Sequence, residues 1–219
     1  MEIIFDLDST LLDCESLELA IALAIENESP AERKKILRQI ESITNAGMAG
    51  EIPPIESLRQ RFAVARPQKK HFQKVVPTLS ARLLPGMVRL VRRLQQGEWG
   101  IFIVSGAPRI FVESIGRFLQ IPAKNLVGCE FEFSPQLDFS KVAKDKLELL
   151  EALPAFGRES VAVGDGATDL QLWQSGLVGH FVAFAKVAAR ANVIAKAPHV
   201  AHNEVELEGI LQELFPGGF

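Results

Sequence analysis

The sequence predicts an α/β fold, with a doubly wound parallel sheet and a small all-helical domain inserted after the first strand. Three short runs, at residues 101–104, 161–163 and 181–184, have the continuous apolar character of strands buried on both faces. Segments with apolar residues at helical spacing separate these runs. Strands that alternate with helices in this way indicate a parallel sheet covered by helices.

The first predicted strand, at residues 3–7, ends in two carboxylates. Asp6 lies within it and Asp8 follows two positions later. Where a strand ends and the chain turns, this spacing can direct both side chains at one point. Burying carboxylates without a partner is costly, and a divalent cation with oxygen ligands would offset that cost. The alternative is that Asp6 and Asp8 only end an edge strand and cap the next turn, but the motifs further along the chain favour the cation.

The stretch after the first strand has helical periodicity and contains no segment that predicts a strand. Apolar residues recur at helical spacing in segments near residues 17–25, 36–43 and 55–62, and a fourth helix is expected between Pro67 and Val76. Pro30 lies between the first two segments, as expected of a residue at a helix start. We therefore expect a core domain of residues 1–12 and 80–219, with a helical cap at residues 13–79.

Polar clusters follow three of the predicted strands. These clusters are the Asp6/Asp8 pair, Ser105-Gly106, and the segment from Asp165 to Asp169. The carboxyl ends of parallel strands meet at one edge of a sheet, where ligands bind in folds of this class. The sequence therefore predicts one site built from all three clusters.

The predicted site combines the groups that phosphoryl transfer requires. Four aspartates at one edge would repel each other, and Mg²⁺ bound by oxygen ligands and by substrate phosphate would neutralise them. Lys144, near the start of a predicted helix, would supply a further positive charge. Ser105 and Gly106 offer a hydroxyl and a backbone N–H near a helix N-terminus, which suits an anion. A carboxylate nucleophile would form an aspartyl-phosphate.

Four motifs resemble those of the haloacid dehalogenase superfamily of phosphatases, in both order and spacing. They are the segment at residues 5–11 (F-D-L-D-S-T-L), Val104-Ser105-Gly106, Lys144, and the segment at residues 163–169 (V-G-D-G-A-T-D). The helical stretch between the first two motifs is similar to the small cap of the phosphoserine phosphatase branch. The resemblance runs from about residue 2 to residue 213 and implies a Rossmann-like core.

The resemblance also implies a role for each motif residue. Asp6 would be the nucleophile and Asp8 the general acid and base. Mg²⁺ would be held by Asp6, the backbone carbonyl of Asp8, and Asp165, with Asp169 supporting the metal loop. Ser105, Gly106 and Lys144 would bind the phosphate.

Two cap residues bear on the substrate. Glu15 lies where the phosphoserine branch has a glutamate for the substrate ammonium, and Arg61 where it has an arginine for the substrate carboxylate. The pairing is chemically sensible, because an amino acid requires an anion for its amine and a bidentate guanidinium for its carboxylate. Nearby Arg59 is interpreted as a solvated helix residue.

The sequence departs from that branch beside the phosphate-binding motifs. After Ser105-Gly106 it has Ala107-Pro108, where Pro108 lacks a donor N–H. The segment between Gly128 and Lys144 is shorter than usual, so Lys141 is a rival for the phosphate-binding role. These differences leave the reaction type intact but leave open another small phosphorylated metabolite as substrate. Transfer of the phosphoryl group to an alcohol is a further alternative.

Composition limits the remaining classes of function. The formal net charge is −3 and there is no long basic cluster, which argues against nucleic acid or a membrane surface as partner. Cys14 and Cys129 lack metal-site or redox spacing, and the start of the chain does not resemble a signal peptide, so we expect a cytoplasmic protein.

A non-catalytic binding protein on this fold is the rival class, disfavoured because all four aspartates are present. Oligomeric state and the choice between Mg²⁺ and Mn²⁺ stay open.

Overall fold

A six-stranded parallel sheet forms the centre of the computed structural model, which describes residues 1–97, 99–133, 136–143, 145–151, 153 and 155–218. In chain order the strands are β1 (Glu2–Phe5), β2 (Gly100–Pro108), β3 (Leu126–Cys129), β4 (Ser160–Gly164), β5 (His180–Phe184) and β6 (His199–Ala201). Their order across the sheet is β3-β2-β1-β4-β5-β6, and every neighbouring pair is parallel. The predicted α/β fold with a parallel sheet is confirmed.

Ten α-helices connect these strands within the described residues. Four of them lie between β1 and residue 79 and are called the inserted helices: α1 (Ser16–Ala24), α2 (Pro30–Met48), α3 (Pro54–Ala65) and α4 (Lys69–Val75). The others are α5 (Pro85–Gln96), α6 (Arg109–Phe118), α7 (Lys146–Leu150), α8 (Ala167–Gln174), α9 (Ala191–Ile194) and α10 (Glu204–Leu214). Short 3-10 helices occupy Val76–Arg82, Ala123–Asn125 and Phe139–Lys141.

Strand β1 occupies the middle of the sheet because its side chains are apolar on both faces. Ile3 and Phe5 on one face and Ile4 on the other are all buried, as expected for a central parallel strand. Phe5 is in register with Ile103 on one side and with Val163 on the other. The residues that follow these three positions therefore emerge side by side at one edge of the sheet.

The inserted helices leave and rejoin the sheet through two adjacent connections. Leu12 forms an antiparallel bridge with Leu83, and the Asp13 N–H donates to the Arg82 carbonyl at 2.9 Å. Ser29 caps α2 by accepting from the Glu32 N–H, and Pro30 takes the first helical position, where its missing N–H costs nothing. The four predicted helices are present, while the exact domain boundaries at residues 12 and 79 stay a prediction.

An aromatic cluster joins the inserted helices to the core. Phe72 of α4 lies with its ring centroid 5.8 Å from Phe111 of α6 and 6.1 Å from Phe62 of α3. Phe131 and Phe133 pack on the same ring, at 5.7 and 5.4 Å. The alternating aromatic residues after β3 thus cover the inserted helices and do not continue the sheet.

No helix in the described ranges combines the length and apolar composition that crossing a bilayer requires.

We predict that Phe72→Ala lowers the free energy of unfolding by about 3–5 kcal/mol, because it leaves a cavity at the contact between α4 and α6. Urea denaturation followed by far-UV circular dichroism measures the change. Phe118→Ala is the matched control, since the Phe118 side chain is 51% exposed. Equal effects of the two substitutions would contradict a joining role for the cluster.

Candidate active site

Three aspartates come together beyond the ends of β1 and β4. Asp6 follows β1, Asp165 follows β4, and Asp169 lies in the first turn of α8. All three side chains are buried, and one carboxylate oxygen from each lies within 4.8 Å of the others. The sheet edge therefore carries a concentration of buried oxygen ligands, as the sequence analysis expects.

This cluster fits a hard divalent cation. Within the described residues, Asp165 Oδ1 is buried and has no hydrogen-bond partner, although an unsatisfied buried carboxylate oxygen is costly. Burial, together with the charges of Glu15 and Asp6, raises the pKa of Asp165 well above its ordinary value. A cation bound at Oδ1 would satisfy the oxygen and favour the ionised carboxylate.

The loop after β4 folds tightly around Asp169. The Asp169 Oδ2 atom accepts a hydrogen bond from the Gly166 N–H at 3.0 Å. A Cβ atom at Gly164 would lie 2.1 Å from Asp169 Cγ, so only glycine permits this approach. Burial raises the pKa of Asp169 to about 6, although the Lys146 ammonium partly offsets the effect.

A buried lysine neutralises part of this charge. Lys146 Nζ, at the first residue of α7, lies 2.7 Å from Asp6 Oδ1 and 2.5 Å from Asp169 Oδ1. Burial alone would lower the pKa of Lys146, but Asp169 and Asp6 outweigh it and hold the pKa above the ordinary value. Lys146 therefore stays charged between the two carboxylates.

The sequence predicts a different lysine, Lys144, at this position. Lys144 lies outside the described residues. Its rival, Lys141, is half exposed and pairs with Glu132 away from the site. Lys146 was missed because three lysines occur within six positions and the short helix carries too few residues to show which of them faces the sheet.

Asp8 is not part of the cluster formed by Asp6, Asp165 and Asp169, and it accepts hydrogen bonds of its own. Its carboxylate accepts from the N–H and the hydroxyl of Ser16, both at 3.0 Å. Ser9, with a φ of 53° in the left-handed region, turns the chain directly after Asp8. Burial, followed by the charges of Glu15 and Asp6, raises the pKa of Asp8 well above its ordinary value. Such a carboxyl group is suited to carry a proton.

Asp6, Asp8 and Lys146 line a cavity, and the last residues of β2 line the same cavity. Ser105 is buried, and its Oγ accepts from the Ala107 N–H at 3.2 Å. A Cβ atom at Gly106 would meet nothing within 4 Å, so the backbone here is open to a ligand. Ala107 and Pro108 also line the cavity, together with Asp6, Asp8 and Lys146. The structure thus brings Ser105 and Gly106 to the carboxylates, as expected.

Glu15 and Arg61 line that cavity from the side of the inserted helices. Burial raises the pKa of Glu15, while the Ser9 hydroxyl and the charge of Arg190 oppose the rise. The Arg61 guanidinium donates to the Ser57 carbonyl at 3.4 Å, and no carboxylate of the described residues lies within ion-pair distance. Burial lowers the pKa of Arg61. Arg59 instead stacks on the Phe139 ring, 4.9 Å from its centroid.

Arg190 is a site residue that sequence reasoning missed. It lies just before α9, and its Nε is 2.7 Å from Asp165 Oδ2. Its Nη2 lies 3.2 Å from Glu15 Oε1, and the side chain is only 10% exposed. No sequence signal identifies it, because it lies 25 residues beyond Asp165 and outside every motif.

Comparison with known proteins gives this geometry a family. A model of the haloacid dehalogenase-like hydrolases matches residues 3–174. A phosphoserine phosphatase of Polaromonas sp. is 31% identical over 224 residues, which cover 96% of this chain and 88% of the relative. The phosphoserine phosphatase of Bos taurus is 28% identical over 220 residues, covering 95% and 92% of the two chains.

Solved structures agree with these relatives. A phosphoserine phosphohydrolase-like protein from Francisella tularensis has a TM-score of 0.85 and 33% identity, covering 96% of this chain and 99% of that one. A substrate-bound phosphoserine phosphatase has a TM-score of 0.71 at 22% identity and so supports the fold alone. The chain belongs to the haloacid dehalogenase-like hydrolases, within their phosphoserine phosphatase branch, and is an enzyme of that class.

We predict that Lys146→Met lowers the free energy of unfolding by about 3–5 kcal/mol in metal-free buffer, because it leaves two buried carboxylates unpaired. Added Mg²⁺ should recover part of the loss by replacing the missing charge. Thermal unfolding with EDTA or with Mg²⁺ measures both effects. Lys141→Met, which breaks an exposed ion pair, is the control and should change little. Equal responses of the two variants would contradict the assigned role of Lys146.

Proposed function

We propose that the protein is a Mg²⁺-dependent phosphomonoesterase that hydrolyses O-phosphoserine to serine and phosphate through an aspartyl-phosphate on Asp6. One observation carries the proposal: Glu15 and Arg61 face the same cavity as Asp6 and Lys146. The groups that would recognise an amino acid and those that would transfer a phosphoryl group therefore share one site. The names of the relatives point to the same substrate.

The fit of the carboxylates supports Mg²⁺ as the cofactor. Asp6 and Asp165, with the backbone carbonyl of Asp8, would hold it, and Asp169 would support the loop. Bound Mg²⁺ would neutralise the phosphate oxygens and the charge that develops on them during transfer. Oδ1 of Asp165, which has no hydrogen-bond partner in the described part of the chain, is the proposed ligand atom that most directly requires a cation.

The residues of the chain supply the chemistry. A carboxylate oxygen of Asp6 attacks phosphorus and forms the phosphoenzyme as the bond between phosphorus and the serine oxygen breaks. Asp8 donates its proton to that leaving oxygen, and its raised pKa suits this role. Asp8 then takes a proton from water, which attacks the same phosphorus, releases phosphate and regenerates Asp6.

The phosphate would be bound by one positively charged side chain and by hydrogen-bond donors that lie around Asp6. Ser105 and the open backbone at Gly106 would hydrogen-bond the phosphate oxygens, and Lys146 would supply positive charge. Lys146 takes the role that the sequence analysis gives to Lys144. Because Lys146 already contacts Asp6, it would also orient the nucleophile.

Substrate specificity would come from the inserted helices, which we interpret as a cap over the site. Glu15 would accept from the substrate ammonium, and the Arg61 guanidinium would donate to the substrate carboxylate. The absence of a carboxylate partner for Arg61 within the described residues supports this assignment, because a largely buried guanidinium requires an anion. The substrate itself would supply that anion.

Ala107 and Pro108 favour a second candidate, the same chemistry on another small phosphate ester or transfer to an alcohol. Both residues line the cavity beside Ser105. Pro108 has no N–H to offer a phosphate or a substrate group. Glu15 and Arg61 nevertheless favour an amino acid phosphate over these alternatives.

The free thiols support a cytoplasmic setting for this reaction. Cys14 and Cys129 are both unpaired, and burial raises the pKa of each to about 11. Neutral free thiols of this kind are stable in a reducing compartment.

The function is tested by phosphate release across a panel of phosphorylated metabolites. We expect phosphoserine to give the highest kcat/KM in Mg²⁺, EDTA to abolish turnover, and Asp6→Asn to lower it by several orders of magnitude, because an amide is not nucleophilic. Serine must appear in equal amount to phosphate; a phosphorylated alcohol as product would identify a transferase. Turnover without metal, or near-normal turnover by Asp6→Asn, would refute the mechanism.

Glu15 and Arg61 should affect phosphoserine selectively. Arg61→Ala and Glu15→Gln each leave one substrate charge unpaired, so we expect a loss of about 30- to 1000-fold in kcat/KM for phosphoserine. An aryl phosphate has neither charged group and should be hydrolysed almost as before. Arg59→Ala is the matched control from the same helix and should spare both substrates. Equal losses on both substrates would assign Glu15 and Arg61 to folding or cap closure instead.

A further inference from the structure

One guanidinium connects the metal-fitting cluster to the residue proposed for the substrate amine. Arg190 donates from Nε to Asp165 Oδ2 at 2.7 Å and from Nη2 to Glu15 Oε1 at 3.2 Å. The rigid planar fork of arginine fixes these two contacts relative to each other. Asp165 belongs to the sheet edge and Glu15 to the start of the inserted helices, so Arg190 sets the relative position of two parts of the fold.

The contacts use one oxygen of each carboxylate. On Asp165, Arg190 takes Oδ2, and Oδ1 is left without a partner in the described part of the chain. On Glu15, Oε1 accepts from both Arg190 and the Ser9 hydroxyl, the latter at 2.8 Å. Hydrogen bonds from described residues to Glu15 therefore all go to Oε1, which leaves Oε2 for a ligand.

The same segment also contacts α2. Arg190 Nη1 lies 3.4 Å from Asn45 Oδ1, and the Asn192 side-chain amide donates to the Ala49 carbonyl just after α2. The cavity is lined by three residues of α2 that lie close to Asn45 and Ala49 in the sequence, namely Thr44, Gly47 and Met48. The arginine therefore holds both carboxylates while its segment is fixed against the helix that forms the cavity wall.

The structure assigns Arg190 as a positioning residue for the proposed reaction: it holds Asp165 so that Oδ1 faces the cation, and Glu15 so that Oε2 faces the substrate ammonium. Arg190 does not line the cavity and would act through the two carboxylates. The inference rests on the proposed function for its Glu15 contact, whereas the Asp165 contact concerns metal binding alone. Arg190 thus couples the orientation of the metal ligand to the orientation of the amine acceptor.

The test uses the full-length chain with Arg190→Met and Arg190→Lys. Methionine removes both contacts; lysine keeps the charge but not the fork. Arg93→Met is the matched control, because Arg93 pairs with Glu208 on α10, and neither residue lines the cavity. The substrates are phosphoserine and its deamino analogue, which keeps the carboxylate and the phosphate but has hydrogen in place of the amino group. Calorimetric titration with Mg²⁺ alone gives a readout that requires no turnover.

We expect Arg190→Met to lower kcat/KM for phosphoserine at least about 10-fold more than for the deamino analogue, mainly through KM. The Kd for Mg²⁺ should rise by about 10-fold or more, as is typical when a hydrogen-bond partner of a metal ligand is lost. Arg190→Lys should also lower the preference for phosphoserine over the deamino analogue. Arg93→Met should match the parent protein in this preference and in the Kd for Mg²⁺. In the Glu15→Gln background, Arg190→Met should cause little further loss of preference, because the two residues act as one unit.

Two results would overturn the inference. An unchanged preference for phosphoserine in both Arg190 variants would show that Glu15 is positioned without Arg190. Equal losses on the two substrates with an unchanged Kd for Mg²⁺ and a lower melting temperature would show a purely structural role. Failure of the parent protein to hydrolyse phosphoserine would instead refute the proposed function, and the Mg²⁺ titration would still test the contact with Asp165.

Discussion

The structure depends on the compensation of buried negative charge at one edge of the sheet. Asp6, Asp8, Asp165 and Asp169 are all buried there, and ionised carboxylates in such positions require partners. Lys146 bridges Asp6 and Asp169, and Arg190 holds Asp165. One oxygen of Asp165 stays unsatisfied among the described residues, and the proposed cation would complete the charge balance there. The charges that make the site costly to fold are those on which the proposed phosphoryl transfer would depend.

Sheet topology brings these charges together at little conformational cost. β1 lies between β2 and β4, so the chain order reverses at β1 and the connections leave the sheet in opposite directions. A crevice forms beyond the strand ends at such a point. Asp6 and Asp165 directly follow β1 and β4, and Ser105 lies in the second half of β2, so rigid parallel strands hold all three without relying on long loops.

The residues proposed for catalysis and those proposed for substrate recognition lie in different parts of the fold. The sheet edge carries the residues proposed as nucleophile, cation ligands and phosphate-binding groups, whereas Glu15 and Arg61, proposed to recognise the substrate, lie in the segment between β1 and α5. The insertion leaves and rejoins the core through adjacent connections, where Leu12 forms a bridge with Leu83. Arg190 and the phenylalanines around Phe72 are the contacts that hold the two parts in a fixed relation.

The sequence by itself determined the parallel α/β fold, the inserted helices and the aspartates of the site, because strand and helix periodicity and the D-x-D and G-D-G-A-T-D spacings are local. It also selected Glu15 and Arg61, which the structure places in one cavity. Only the tertiary structure distinguished Lys146 from Lys141 and revealed Arg190. Long flexible side chains reach partners far away in sequence, and whether they do so depends on burial and on distances between elements that no local pattern encodes.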